Sequence, residues 1–233
     1  MPTSTTETYK HLSEKIDSSK GSEFAKRINS FRAHHYIYEK NYSELMGCLA
    51  NSEKVGHHLT ALDLPGEDSN LRKTYNEVTR QIFNFLSSSK GRIDYTRRFV
   101  AENYKDTSFS VRFKEHIAEF YSQSELFKFV NDLRNYILHE GIPHIGISVN
   151  WSKSNAYIYL EKSKIIDSSF WTAPSKRFLE KCDDSILLCP LFIEYGNRVN
   201  AQVDWILDEL YKHHSSDISE YNEMLAELDN LRK

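Results

Sequence analysis

An arginine, an amide and a histidine stand close together in the run Asp132-Leu133-Arg134-Asn135-Tyr136-Ile137-Leu138-His139-Glu140-Gly141, near the middle of a 233-residue chain. Arginine is a permanent cation whose forked donors match a phosphate group. Histidine has the unperturbed pKa nearest neutrality, so it both takes and gives a proton. Together they form a minimal kit for cutting a phosphodiester without a metal. On a helix, Asn135 and His139 are four apart and share a face. Arg134 lies about 100° round from Asn135, but its length lets it swing toward the same cleft. A donor aimed at developing phosphorane charge is worth about 3 kcal/mol in rate. General acid–base help adds about 10²–10⁴-fold.

These residues need a helix, and the surrounding pattern predicts one. Leu126, Phe129, Val130, Leu133, Tyr136 and Ile137 make an apolar side. Ser122 and Glu125 fit a capping box at its start, and Gly141 and Pro143 stop it. His139 then falls in the last turn. Upstream, Phe24, Ile28, Phe31, His35, Tyr38, Tyr42, Leu45 and Leu49 alternate four and three apart, a one-sided helical stripe. Pro65-Gly66 marks a turn. Leu71, Tyr75, Val78, Ile82 and Leu86 give a second helix, which Ser87–Gly91 is expected to interrupt. Ile93, Phe99, Val100 and Tyr104 resume it, and Phe113, Ile117 and Phe120 fit another. After the motif the period changes to two: Ile145, Ile147, Val149 and Trp151 alternate with small or polar residues. Ser152–Asn155 turns the chain, and Ala156–Leu160 returns as the second arm of a hairpin. A short helix is expected after Pro174, and two more follow.

The expected fold is therefore mainly α, a helical bundle with a small β-hairpin insertion after the motif helix. One domain covers residues 1–233, with a polar, loosely held lead-in over 1–20, the hairpin over 144–163 and C-terminal helices over 190–232. Net charge is −3, which excludes nucleic-acid binding through overall charge. Cys48, Cys182 and Cys189 form no CxxC pair and leave an odd count, which points to reduced thiols. No signal pattern opens the chain, and no apolar run nears the roughly 18 residues of a membrane span. A cytoplasmic location with no membrane contact is expected.

Arg134-Asn135-Tyr136-Ile137-Leu138-His139 is an R-N-x-x-x-H run, and it resembles the motif of the HEPN superfamily. The resemblance is sharpest over residues 122–144, and the all-α surroundings agree with it. The variant looks like that of abortive-infection HEPN proteins and of the type VI RNA-guided CRISPR ribonucleases. The resemblance implies a HEPN-like bundle that forms a homodimer, bringing two copies of the motif face to face. It implies a metal-independent endoribonuclease of a toxin–antitoxin or antiphage system, with RNA as substrate, no cofactor, and an antitoxin or nucleotidyltransferase as partner. The 2′-hydroxyl would attack the adjacent phosphate, leaving a cyclic phosphate and a 5′-hydroxyl. Carried over, His139 moves protons, Arg134 holds the phosphate, and Asn135 orients His139 or contacts the backbone. Some HEPN toxins carry a tyrosine two residues after the histidine; here that position is Gly141. The chain also continues for 94 residues past His139.

Two other readings compete. Arg134 could pair with Asp132 or Glu140 while His139 merely caps the helix. Alternatively, a HEPN-like fold could serve as a non-catalytic binding or scaffold protein for a nucleotide, RNA or protein. His144, five residues beyond His139, is a candidate for the same cleft. Arg97 and Arg98 are candidate substrate contacts, within a basic series of Arg92, Arg97, Arg98, Arg112 and Lys114 interleaved with Tyr95, Phe99 and Phe113. Such a surface suits single-stranded RNA, although the same pattern also describes a solvated helix face over a core. Adjacent histidines point about 100° apart on a helix, so His34-His35, His57-His58 and His213-His214 make no chelate by themselves. His35, on the apolar stripe, is expected to be a hydrogen-bonded core residue. Cys182 and Cys189 lack zinc companions, and no metal is expected. There is no P-loop, Rossmann glycine run or nucleophile elbow.

Overall fold

Hydrophobic periodicity dictates most of the architecture. The computed structural model describes residues 3–62, 70–122, 124–150 and 155–232. The Pro65-Gly66 turn, Trp151 and Ser152–Ser154 fall outside these residues, as do the side chains of His57, His58, Leu71, Ser122 and Val149. Nine α-helices are described: α1 (Thr3–Asp17), α2 (Lys20–Leu62), α3 (Asn70–Asn103), α4 (Ser108–Ile117), α5 (Glu125–His139), α6 (Lys162–Ile165), α7 (Ala173–Lys181), α8 (Leu188–His213) and α9 (Ser215–Asn230). A π-helical turn, Ala118–Ser122, follows α4. Strands β1 (Ile145–Asn150), β2 (Asn155–Glu161) and β3 (Ser185–Leu187) form one antiparallel sheet in that order. The mainly-α expectation and the hairpin both hold.

The α2 stripe is the spine of the core. Phe24, Ile28, Phe31, Tyr38, Leu45 and Leu49 are all buried. At 1.5 Å per residue, α2 runs about 65 Å. It packs along α3 through ring pairs such as Phe31–Phe99 at 5.2 Å and Tyr38–Phe85 at 5.7 Å. Helix α8 closes over both, burying Phe192, Tyr195, Val199, Ile206 and Leu210. The sheet lays Ala156, Ile158 and Leu160 against the helices. Its register pairs Ile145 with Leu160 and Asn150 with Asn155, while Leu160 also pairs with Ile186.

Four expectations are corrected. Residues 3–17 are not a loose lead-in but helix α1. Tyr9, Leu12 and Ile16 recur three and four apart, and Leu12 and Ile16 pack on Met224 and Leu228 of α9. Arg232 closes this corner by donating to the Tyr9 hydroxyl at 2.6 Å. Ser87–Gly91 does not interrupt α3, which is helical throughout: Ser88 and Ser89 face the packed side, and one helical glycine costs only about 1 kcal/mol against alanine. The cap of α5 is Ser124 rather than Ser122, because the π-helical turn carries the chain through Ser122. The hairpin also gains a third strand, β3, too short for alternation to reveal.

Candidate functional site

Helix α5 begins where the Ser124 hydroxyl accepts from the Phe127 amide at 3.4 Å. It buries Leu126, Phe127, Phe129, Val130 and Leu133. It ends with the Glu140 amide on the Tyr136 carbonyl at 2.8 Å, after which Gly141 takes φ +104°. That left-handed geometry suits glycine. The outcome is a helix with Arg134 and Asn135 half-buried along its flank and His139 exposed in its last turn.

Asp132 is what fixes this helix in place. It is 4% exposed, and its Oδ2 accepts from the Thr172 amide at 2.9 Å, the Thr172 hydroxyl at 2.7 Å and the Ser175 hydroxyl at 2.6 Å. Thr172 is the N-cap residue of α7, so a carboxylate from α5 satisfies the amide end of another helix, where negative charge is favoured. Seven residues earlier on the same face, Glu125 meets Arg177 at 3.0 Å and Lys181 at 2.7 Å. Those two cations hold the Glu125 carboxyl below its ordinary value, Lys181 first. Helices α5 and α7 are thus clamped at two points, one buried and one exposed. Glu125 serves this clamp rather than a capping box with Ser122.

With Asp132 engaged by α7, Arg134 has no ion pair among the described residues. Its Nη1 donates to Asn135 Oδ1 at 3.4 Å, and its Nε is buried without a partner. The guanidinium borders a small void shared with Ser89 and Lys90 of α3 and Tyr195 of α8. His139 lies flat against Phe170, centroids 5.2 Å apart and planes within 1°. The stack orients the plane of the imidazole, while the residue as a whole is exposed. One turn below, Tyr136 stacks on Trp171 at 5.4 Å. The segment 165–172 therefore buttresses the C-terminal half of α5, a role that nothing in its irregular sequence pattern announced.

The remaining candidates lie elsewhere. His144 Nδ1 is 3.0 Å from Glu161 Oε2, so its imidazole is engaged by the end of β2. Arg97 lines a different cleft, between α3 and α4. Arg98 reaches Glu102 at 4.0 Å and lies 5.8 Å from the Tyr95 ring. Neither is among the residues around Arg134. The continuous basic, aromatic surface is not formed: Phe99 and Phe113 are core, Arg112 pairs with Glu209 at 2.7 Å, and Arg92 is only 3% exposed. His35 is half-buried with Nε2 at 3.3 Å from Glu39.

Arg92 is the residue that sequence reasoning misplaced most. It lies under the bundle surface, donating to the Tyr121 hydroxyl at 2.8 Å and to Gln202 Oε1 at 3.4 Å, 5.3 Å from the Tyr38 ring. The Tyr121 hydroxyl donates in turn to Gln202, and the Tyr195 and Ser89 hydroxyls are bonded to each other. Burial pushes the Tyr195 phenol up to about 12 and raises Tyr38 as well. These phenols are therefore neutral near pH 7, and Arg92 is a buried cation stabilised by hydroxyl, amide and ring rather than by a carboxylate. Tyr121 lies in the π-helical turn and is buried.

Among the described residues, no group of three His, Cys, Asp or Glu side chains is placed to hold a metal ion, and no helix is long and apolar enough to cross a membrane. Cys48, Cys182 and Cys189 are free thiols. Comparison with family models, curated proteins and solved structures found no match to this chain. The functional reading therefore rests on its own residues.

Proposed function

We propose that Arg134, Asn135 and His139 form the cleaving centre of a metal-independent endoribonuclease of HEPN type, acting as a toxin or antiphage effector. One observation carries this reading. Asp132, the nearest acid before Arg134, turns its Oδ2 to Thr172 and Ser175, and among the described residues neither it nor Glu140 forms an ion pair with Arg134. The guanidinium thus carries no carboxylate partner, with its Nε buried toward α3 and α8, while His139 is exposed at the end of the same helix. The purely structural reading required the opposite arrangement.

The chemistry follows from these groups. The 2′-hydroxyl loses its proton, and the 2′-oxygen attacks the adjacent phosphorus. The bond from phosphorus to the 5′-oxygen breaks, and that oxygen takes up a proton. The products are a 2′,3′-cyclic phosphate and a 5′-hydroxyl. Arg134 binds the phosphate and offsets the charge that builds on it. Asn135 holds the Arg134 guanidinium or the RNA backbone. His139 carries out one proton transfer, and a second copy of the chain supplies another. Leu138 and Ile142, 45% and 52% exposed, flank His139 with apolar surface suited to such a homodimer.

The test is RNA cleavage by purified protein in EDTA, with end-group analysis. His139→Ala should lower the rate by about 10²–10⁴-fold, and Arg134→Ala by about 10²–10³-fold. Equal residual activity in all three proteins would mean contamination. No cleavage by a folded wild-type dimer on varied RNAs would shift the assignment to a binding protein that uses Arg134 to hold a phosphate.

A further inference from the structure

A second concave site lies between the C-terminal part of α3 and the length of α4, reaching Ala118 of the π-helical turn. It is a cleft of about 550 Å³, within the roughly 300–1,000 Å³ of small-molecule sites. Its floor is apolar: Val100 and Phe113 are buried, and Ile117 is half-buried. Ala101 and Ala118, one carbon long, leave a slot between the helices. Three cations stand on the rim: Arg97, Lys105 and Lys114. None of the three has an ion pair among the described residues, whereas their neighbours Arg98 and Arg112 are paired with Glu102 and Glu209. One carboxylate, Asp106, shares the rim on a left-handed turn at φ +61°.

The geometry points to a binding site for a small phosphate monoester with a flat apolar body. Three cations against one carboxylate leave an excess of two positive charges, which matches a phosphate dianion. Unpaired cations on one rim of a protein of net charge −3 are a local complement to a compact head, not a track for a long polyanion. The apolar floor and the alanine slot accept the body of the ligand, and Asp106 offers an acceptor to any hydroxyl or amine it carries. Neither half of the ligand should suffice alone. The head without the body gains little from exposed cations in water, and the body without the head leaves the rim unsatisfied. This site is separate from the α5 motif and stands whether or not the chain cleaves RNA.

The experiment is titration calorimetry on the full chain with 1-naphthyl phosphate, beside inorganic phosphate, 1-naphthol and a short single-stranded RNA. Naphthyl phosphate should bind at least about tenfold more tightly than either fragment, a difference of about 1.4 kcal/mol. Two variants attack the site differently: Lys105→Glu with Lys114→Glu reverses the rim, and Ala101→Leu fills the slot without changing charge. Each should weaken naphthyl phosphate by about tenfold or more, with circular dichroism melts identifying any variant that fails to fold so that the other carries the test. Unchanged affinity in a folded variant would overturn the assignment. So would RNA binding that is lost in these variants while naphthyl phosphate does not bind wild type.

Discussion

Asp132 decides how the motif is presented. Three donors converge on one buried oxygen, so removing the carboxylate leaves the Thr172 amide without its acceptor and the Thr172 and Ser175 hydroxyls with only each other, 3.2 Å apart. Asp132→Ala should cost about 3 kcal/mol, read as a fall in Tm of about 6–12 °C; a loss below a degree would show that α7 does not depend on this cap. Asp132→Asn, which keeps an oxygen, should cost less. In the sequence Asp132 reads as a local partner for Arg134, two residues away. Its true partners stand 40 and 43 residues downstream, a distance over which no local pattern operates. Arg134, Asn135 and His139 were legible because they share one helix. The buttress of Phe170 and Trp171 was not, because an irregular segment has no period to betray the face it buries. Arg92 was misread for a related reason: periodicity marks apolar residues as buried but cannot distinguish a buried cation from a solvated one.

Helix α5 draws its precision from its ends. It starts at Ser124 and stops at Gly141, whose φ of +104° strains any residue with a Cβ. Gly141→Ala should destabilise by about 1–2 kcal/mol, checked by urea denaturation, and under the proposed ribonuclease function should move the neighbouring His139 enough to lower cleavage more than stability alone predicts. An unchanged midpoint would show that the turn relaxes freely. Elements with long, strict periods were readable: the α2 stripe predicts a helix that the structure extends to 43 residues. Elements that depend on something besides period were not. Helix α1 exists because α9 covers it. The π-helical turn moves the cap by two residues, from Ser122 to Ser124, a shift invisible to a capping-box pattern. Strand β3 exists because β2 offers it an edge.

For the molecule as a whole, histidine burial sets the response to mild acid. Burial holds His35, His116 and His213 below the ordinary imidazole value; Glu39 opposes this at His35, and His214 adds to it at His213. Such histidines bind more protons unfolded than folded. Their contribution is complete above about pH 6.5 and is lost as pH falls below it. Glu77, drawn down to about 2 by hydrogen bonds from Arg80 and Gln81, acts in the same direction only below about pH 4.3. Melting scans from about pH 7.5 to about pH 5.5 should therefore show a falling Tm, and His35→Gln should flatten the slope. A slope that His35→Gln leaves unchanged would remove His35 from this account. The corner where α1 meets α9 has a different consequence. Tyr9 and Arg232, 223 positions apart, are in hydrogen-bonding contact. Between these two positions the chain is nearly a ring in space, so a cross-link from residue 9 to residue 232 would shorten the unfolded coil without stretching the folded state, and would act almost wholly as a tax on unfolding.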